Sequence, residues 1–437
     1  MNILIMVGQL ILGLSILVIL HELGHFLAAR AFKIRVEKFY LFFDAGNFKL
    51  FSFKKGETEY GIGWLPLGGY VKISGMIDES MDKEQLKLPP QPWEFRSRPA
   101  WQRLIVMVAG VFVNLILGIL IFGFTLLQYE KSYLPLSEVN KDGIYASSKG
   151  KEIGFETGDK IISINGKPIE RFKDAQSVDV LFGSTFEVER NGKIVSVEIP
   201  EDFYRSEGSN RGVRFIEPLN FPFRIDSVFP GLPAANAGLA KSDKMLKIDS
   251  IEIKSYGQFK ELISTSAGRE LTIQVLRGND TLQKQLTVDS SGIIGILASI
   301  PYTQTPYDFG KALSYGYKDA MDMLSANIKG LGKIISGEEK ASESLQGPIG
   351  IAQIYGSQWI WAKFWYITGL LSLILAFMNI LPIPALDGGH VLFLLIEIVT
   401  RRKPSDKVLE YAQMAGMIIL LGIMVFAIGN DIMRIFR

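Results

Sequence analysis

Four long apolar runs constrain the fold of this chain more than any other sequence feature. Residues 3–20 contain no charged side chain, and similar runs lie near 104–127, 364–386 and 408–429. Each run has about 18 residues or more, the length that a helix needs to cross the hydrocarbon core of a bilayer. The mean hydropathy of +0.21 is also high for a soluble protein. The sequence therefore predicts an α-helical polytopic membrane protein with four transmembrane helices.

The first apolar run is predicted to remain as a membrane span. A secretory signal peptide carries basic residues near its start and small residues at its cleavage site. Here the first basic residue is Arg30, and the run ends in His-Glu-Leu-Gly-His at 21–25. Neither feature is typical of a cleaved signal.

Basic residues beside the spans predict the orientation of the chain. Lysine and arginine cluster at both ends of segment 30–103 and again in the short loop 400–408. Short basic loops remain on the cytoplasmic side of a membrane. We therefore expect residues 129–360 and both termini on the outer side of the membrane.

Charge and cysteine content exclude some functions. The net charge is +2, and the sequence has no basic stripe interleaved with aromatic residues. We therefore expect no nucleic-acid partner. The chain has no cysteine, which rules out disulfide bonds and thiolate chemistry.

Short apolar segments broken by glycine and charged residues predict β-strands within 36–75. The segment Leu67–Lys72, which contains Gly68 and Gly69, is predicted to turn into a further strand. Such strands beside a membrane could pair with each other, or they could offer an edge to an extended peptide.

An internal repeat organises the predicted outer region. Residues 153–165 and 237–249 share one pattern, offset by 84 positions: an apolar residue, Gly and a second apolar residue, then Asp-Lys and an apolar stretch. The repeat predicts two tandem β-rich domains, at 130–217 and 218–300.

Apolar residues at helical spacing predict an amphipathic helix over 308–335. Such a helix could lie on the membrane surface or pack on the second β-rich domain.

A metal-binding pattern ends the first apolar run. His21 and His25 are four positions apart, so a helix places both imidazoles on one face, close enough to bind one metal ion. Glu22 lies beside the first histidine, where it can act on a water molecule at the metal. Ionisable residues at membrane depth are costly and usually functional. The alternative is a pair of histidines that only form hydrogen bonds within a helix bundle.

The third apolar run supplies a candidate for the third ligand, Asp387. Two prolines and two glycines interrupt residues 379–390, which predicts a broken helix. The predicted orientation brings Asp387 and the histidine pair to similar depth near the cytoplasmic side. Asp387 could instead cap a helix. His390 could orient a ligand or compete as one.

These motifs resemble those of the site-2 protease family of intramembrane zinc metalloproteases. The resemblance rests on residues 21–25, 67–71 and 379–388, and it covers nearly the full chain. It implies that the repeats are circularly permuted PDZ domains and that 36–75 includes a membrane-reentrant β-loop. It also implies a location in a bacterial inner membrane, with the PDZ domains in the periplasm. The family usually has Gly-Pro-x-x-Asn in its second span, whereas this chain has valine in place of proline within 110–114. The first repeat, around 149–154, is a weak match to the PDZ pattern.

The combined prediction is an intramembrane metalloendopeptidase with a Zn²⁺ cofactor. His21, His25 and Asp387 would bind the metal, and Glu22 would serve as general base and then as general acid. The alternative from another class is a non-catalytic membrane scaffold with PDZ domains and a structural metal.

The substrate must unwind before a peptide bond in a membrane helix can be cut. Strands within 36–75 are predicted to hold it extended, with Gly68 and Gly69 allowing close approach. The resemblance implies that Asn379 helps to hold the substrate backbone. It also implies substrates that are single-span proteins already shortened outside the membrane, such as anti-sigma factors, with remnant signal peptides as a further class. The PDZ pair would then exclude bulky outer domains.

The predicted domain order follows these motifs. It runs through a first transmembrane helix (1–30), a β-region (31–100), a second transmembrane helix (101–129), the two PDZ domains (130–217 and 218–300), an amphipathic helix with a connector (301–358), a third transmembrane segment (359–400), and a loop with the fourth helix (401–437).

Overall fold

The computed structural model describes residues 2–76, 89–208, 214–221, 223–299 and 303–435. The chain divides into two compact units. Residues 1–129 and 309–437 form the first, and residues 130–308 form the second.

Helix α1 (Asn2–Ala31) carries the first apolar run and leads into a four-stranded sheet. The strands are β1 (Val36–Phe43), β2 (Lys49–Lys55), β3 (Thr58–Gly63) and β4 (Leu65–Ile73), in the order β2-β3-β1-β4. β1 runs parallel to β3 and antiparallel to β4, so β2 and β4 are the edge strands. The strands predicted within 36–75 are therefore present.

Gly68 and Gly69 lie inside β4, so the turn predicted at this point is wrong. Gly69 pairs with Leu41 of β1. A Cβ atom at Gly69 would come within 2.7 Å of both the Tyr40 carbonyl oxygen and Val18 Cγ1. The missing side chain therefore lets the strand pass between β1 and α1, which a sequence pattern alone does not reveal.

Helix α2 (Ala100–Thr125) carries the second apolar run and is preceded by a short 3₁₀ turn at Phe95–Ser97. A π-helical turn, Leu126–Glu130, continues it. The helix is uninterrupted at Val111, where the family usually has proline, so this departure leaves a regular helix.

The second unit begins with β5 (Ser132–Tyr133), which pairs with a strand at the end of the unit. Its first half has a hydrophobic core of its own around a three-stranded sheet. The elements of this half are α3 (Leu136–Val139), β6 (Ile144–Ala146), α4 (Ser148–Glu152), β7 (Lys160–Ile164), β8 (Ser184–Arg190), β9 (Lys193–Ile199), α5 (Phe203–Gly208) and β10 (Ile216–Pro218). The sheet has the order β7-β8-β9, and β6 pairs with β10.

The second half of this unit also has its own hydrophobic core. Its elements are β11 (Arg224–Val228), α6 (Pro233–Asn236), β12 (Lys244–Ile248), β13 (Ile251–Glu252), α7 (Tyr256–Thr265), β14 (Glu270–Arg277), β15 (Asp280–Thr287) and β16 (Ile296–Ser299). The sheet has the order β15-β14-β12-β11-β16, with β13 beside β12. The last strand, β17 (Thr305–Pro306), pairs with β5.

One ion pair recurs in the two halves and supports the internal repeat. Arg190 Nε and Nη2 donate to the two carboxylate oxygens of Asp159 at 2.8 and 2.7 Å. Arg277 Nε and Nη2 donate to the two carboxylate oxygens of Asp243 at 2.7 and 2.8 Å. The aspartates are the equivalent residues of the predicted repeat, so both halves use them in the same way.

Helix α8 (Phe309–Ile335) returns the chain to the first unit and occupies the predicted amphipathic segment. Its small residues pack on α2, where a Cβ atom at Gly316 would come within 2.4 Å of the Gly123 backbone nitrogen. The buried face of α8 therefore packs against α2, a helix long and apolar enough to span a membrane.

The last helices are α9 (Ala341–Ser344), α10 (Pro348–Tyr355), α11 (Trp361–Ile380), α12 (Asp387–Thr400) and α13 (Asp406–Ile435). The third apolar run breaks between α11 and α12, as its prolines and glycines predict. Gln413 Oε1 on α13 accepts a hydrogen bond from the Ala385 backbone N–H at 3.2 Å, which ties the break to α13.

Four helices within the described ranges are long and apolar enough to cross a membrane: Ile3–Ala31, Ala100–Glu130, Trp361–Ile380 and Lys407–Arg434. They correspond to the four predicted runs. Together with the β-sheets, they fit the predicted polytopic membrane protein.

Candidate metal centre

Two histidines, one helical turn apart on α1, lie side by side and are buried. His21 and His25 are 9% and 5% exposed. Their Nε2 atoms are 3.2 Å apart. The i, i+4 spacing places both rings on one face of the helix, as predicted.

Asp387, the first residue of α12, joins the histidine pair. Its Oδ2 atom lies 3.1 Å from His21 Nε2 and 3.3 Å from His25 Nε2. Leu386 occupies the helix-cap position, so Asp387 is not the capping residue. The structure thus brings together the three residues predicted as metal ligands.

The three ligand atoms lie slightly closer together than the ligands of a bound zinc ion do. Their separations are 3.1, 3.2 and 3.3 Å. Ligands of a tetrahedral zinc ion, each about 2.0–2.2 Å from the metal, lie about 3.3 Å or slightly more from one another. Asp387 Oδ2 is also buried without a hydrogen-bond partner among the described residues. A buried oxygen of this kind beside two imidazole nitrogens suits a cation, so the residues present fit zinc.

Hydrogen bonds from α2 orient the histidine rings. His25 Nδ1 is 2.8 Å from the Val106 carbonyl oxygen. A carbonyl only accepts, so Nδ1 carries the hydrogen, and in the neutral ring Nε2 keeps its lone pair. His21 Nδ1 is 3.2 Å from the side-chain nitrogen of Asn114.

Gly110 on α2 makes room for both imidazoles. A Cβ atom there would lie 2.3 Å from His25 Nε2 and 2.8 Å from His21 Cε1. On the facing helix, a Cβ atom at Gly24 would lie 2.6 Å from the Ala109 carbonyl oxygen. The two glycines therefore let α1 and α2 approach closely enough to hold the ligands.

A cavity of about 760 Å³ opens at the ligand cluster. Glu22, Asn379, Gly68 and Gly69 all line it, so it contains every predicted site residue outside the ligand set. A cavity of this size suits an extended segment of a few residues.

Two further residues have defined places in this cavity. Asn379 Nδ2 lies 3.4 Å from His21 Nε2, next to the cluster. His390 also lines the cavity, but its ring nitrogens are not among the three clustered ligand atoms.

Three residues of α2 complete the surroundings of the histidines, although no role is predicted for them from the sequence. Val106, Gly110 and Asn114 lie four positions apart, on one face of the helix. A small and a polar residue at this spacing in an apolar span are the signal that could have indicated a contact with another membrane helix.

Comparisons with known proteins also indicate a metalloprotease. The sequence profile of Peptidase family M50 matches residues 9–423. The chain is 28% identical to the Regulator of sigma-E protease RseP of Escherichia coli K12, over 98% of each chain. It is 28% identical to the Regulator of sigma E protease of Haemophilus influenzae, again over 98% of each chain. A Treponema pallidum protein with the provisional name zinc metalloprotease is 27% identical over 99% of each chain.

Proposed function

The chain belongs to Peptidase family M50, the site-2 protease family, and from this premise we propose that it cuts peptide bonds inside membrane-spanning segments with a zinc ion. Membership makes it a metalloprotease of the site-2 type. The location of the cut and the residues that make it are the proposal. We also propose that the metal centre lies within the inner membrane near the cytoplasmic side and that the second unit lies in the periplasm.

One observation carries the proposal. His21, His25 and Asp387 present three ligand atoms close to zinc spacing in a cavity that Glu22 also lines. Catalytic zinc sites have three protein ligands and leave a fourth position open. The histidines belong to a helix that is long and apolar enough to span a membrane, which favours a substrate that is also in the membrane.

Glu22 is the proposed general base and general acid. A zinc ion bound at the cluster would polarise the substrate carbonyl and make water more acidic. Glu22 follows His21 directly and faces the same cavity, so it is placed to accept a proton from the attacking water. It can then pass this proton to the leaving amine.

Strand β4 is the proposed support for the unwound substrate. It is an edge strand that pairs only with β1 among the described strands, and residues 68–73 line the cavity. An extended peptide can add to such an edge through main-chain hydrogen bonds. Gly68 and Gly69 line the cavity on this strand and are the proposed contacts for the substrate backbone, and Asn379 can hold a substrate amide beside the metal.

Metal removal tests this function. A chelator is expected to abolish cleavage of a membrane-spanning reporter by the purified protein, and about one equivalent of Zn²⁺ should restore it. Asp387→Asn should lower both the zinc content and the cleavage rate by about 100-fold or more, because one of the three ligands is weakened. Elemental analysis and gel-based cleavage measure the two effects.

Asp431 provides a matched control for Asp387→Asn. It is a buried aspartate on α13 whose carboxylate accepts hydrogen bonds from the backbone N–H groups of Gly347, Ile349 and Gly350. D431N should keep its zinc. Full cleavage by metal-free protein, or full zinc content in D387N, would contradict the assignment.

The second unit is the proposed size filter for substrates. Relatives named regulator of sigma E protease favour anti-sigma factors, already shortened outside the membrane, as substrates, with remnant signal peptides as a second class. The two β-rich halves would be PDZ domains that exclude larger outer domains.

Deletion of 131–300 is expected to relax this filter. With a flexible linker in its place, the protein should cut a reporter with an intact outer domain at least as fast as the parent cuts a shortened one. The two reporters are compared by gel-based cleavage in the same membranes. Cleavage of the shortened reporter serves as the control for folding. If only the shortened reporter is cut after the deletion, the filter lies elsewhere.

A further inference from the structure

We infer that Asn114 is the positioning residue for His21: its side-chain oxygen accepts a hydrogen bond from His21 Nδ1–H and so keeps the Nε2 lone pair available to the metal. This inference rests on the proposed function, because it concerns a histidine in its role as a zinc ligand. It assigns a role to a residue of α2 that lies outside the ligand set.

The two histidines differ in what faces their second ring nitrogen. For His25, the partner of Nδ1 is the Val106 carbonyl, which can only accept. For His21, the partner is a carboxamide, which offers an acceptor on one side and a donor on the other. The state of His21 therefore depends on which side of Asn114 faces the ring.

The requirement of a metal ligand selects the oxygen of Asn114. If the amide nitrogen donated to His21 Nδ1, the proton of the neutral imidazole would lie on Nε2, which would have no lone pair for a metal. With the amide oxygen in that place, Nδ1 carries the proton and Nε2 is free. A half-turn of the carboxamide about its last bond exchanges the two atoms with little change in shape.

The surroundings of Asn114 agree with this exchange. The residue is 1% exposed, and its Oδ1 atom is buried without a hydrogen-bond partner among the described residues. A buried amide oxygen without a partner is costly. Turning the carboxamide gives the oxygen a donor at the same 3.2 Å distance, and the amide nitrogen then takes the buried position that has no partner among the described residues.

The backbone at Asn114 is held in register with a third helix. Ser372 Oγ on α11 donates to the Asn114 carbonyl oxygen at 2.6 Å, and Ser372 is fully buried. α2 thus contacts both α1, which carries the histidines, and α11, which leads to Asp387. Asn114 can therefore hold the ring of His21 from a fixed point.

Zinc affinity in a set of Asn114 variants tests the inference. The full-length protein in detergent is titrated by competition with a zinc chelator, and Co²⁺ is substituted to record its d–d absorption spectrum. Asn114→Ala and Asn114→Val remove the acceptor with and without loss of volume. Each should weaken zinc binding about 10- to 100-fold, as loss of a ligand's supporting partner does.

Asn114→Asp is the discriminating variant, because a carboxylate accepts but cannot donate. It should restore zinc affinity to within a few-fold of the parent and keep the parent's Co²⁺ spectrum. Asn430→Asp and Asn430→Ala are the matched controls, since Asn430 is also buried but its amide bonds to the Leu345 carbonyl. Both should bind zinc as the parent does.

Two outcomes would overturn the inference. Parental zinc affinity in both N114A and N114V would show that Asn114 does not position His21. Equal loss in N114D and N114A would show that the amide nitrogen is required. If the parent binds no zinc more tightly than His21→Ala does, the proposed function itself fails, and this result is distinct from the other two.

Discussion

Glu22→Gln is expected to stop cleavage of a membrane-spanning reporter while the protein retains its zinc. Glutamine has nearly the same shape as glutamate but cannot accept the proton of the attacking water. The loss of a general base lowers the rate by about 10²–10⁴-fold. Glu22 is not one of the three residues whose ligand atoms cluster, so zinc content should stay near that of the parent. Cleavage rate and zinc content are measured on the same preparation.

This variant separates an enzyme from a scaffold with a structural metal. A scaffold would keep its function in E22Q, since the metal and the folded β-rich halves are unchanged. Residual cleavage within about tenfold of the parent would show that Glu22 is not the base.

Gly110→Val is expected to cause a loss of both zinc and cleavage. The nearest histidine atom is 2.3 Å from the position of the new Cβ. The helices cannot separate easily, because Gly24 holds α1 against the backbone of α2 at the same crossing. Since a displacement of 1 Å can cost about 10²-fold in rate, cleavage should fall by at least about this factor. Zinc content and reporter cleavage are the measurements.

Gly118→Ala provides the control on the same helix. A Cβ atom there would lie 2.6 Å from Leu373 Cδ2 and 2.8 Å from Leu373 Cγ, so it crowds a buried leucine of α11 and no histidine. Because the histidines are not touched, zinc content should remain close to that of the parent. Equal losses in G118A and G110V would indicate a general packing defect in α2. Parental zinc in G110V would show that the imidazoles do not need this space.

The periodic features of this protein are those that the sequence predicts well. The four spans follow from runs of apolar residues, and the position of His21 beside His25 follows from helical spacing. The break before Asp387 follows from Pro382 and Pro384. Each of these features depends on residues that are close together in the sequence, so helical periodicity and the effect of proline are enough to predict it.

The remaining features depend on contacts between distant segments. The place of Gly69 inside β4 depends on its passage between β1 and α1. The roles of Gly110 and Asn114 depend on which face of α2 crosses α1. The spacing of a small and a polar residue in α2 can indicate a contact with another helix, but the residues that this face meets become visible only in three dimensions. The assignment of the metal ligands remains a proposal that the experiments above can test.

The origin of the ligands has a consequence for biosynthesis. Two of them are in the first 25 residues of the chain, while the third is residue 387 of 437. While a ribosome is still translating the segments between them, the nascent chain therefore holds only two of the three groups that are proposed to bind zinc. On this assignment the metal centre is complete only after α12 has been synthesised, so a partly made chain is expected to be inactive.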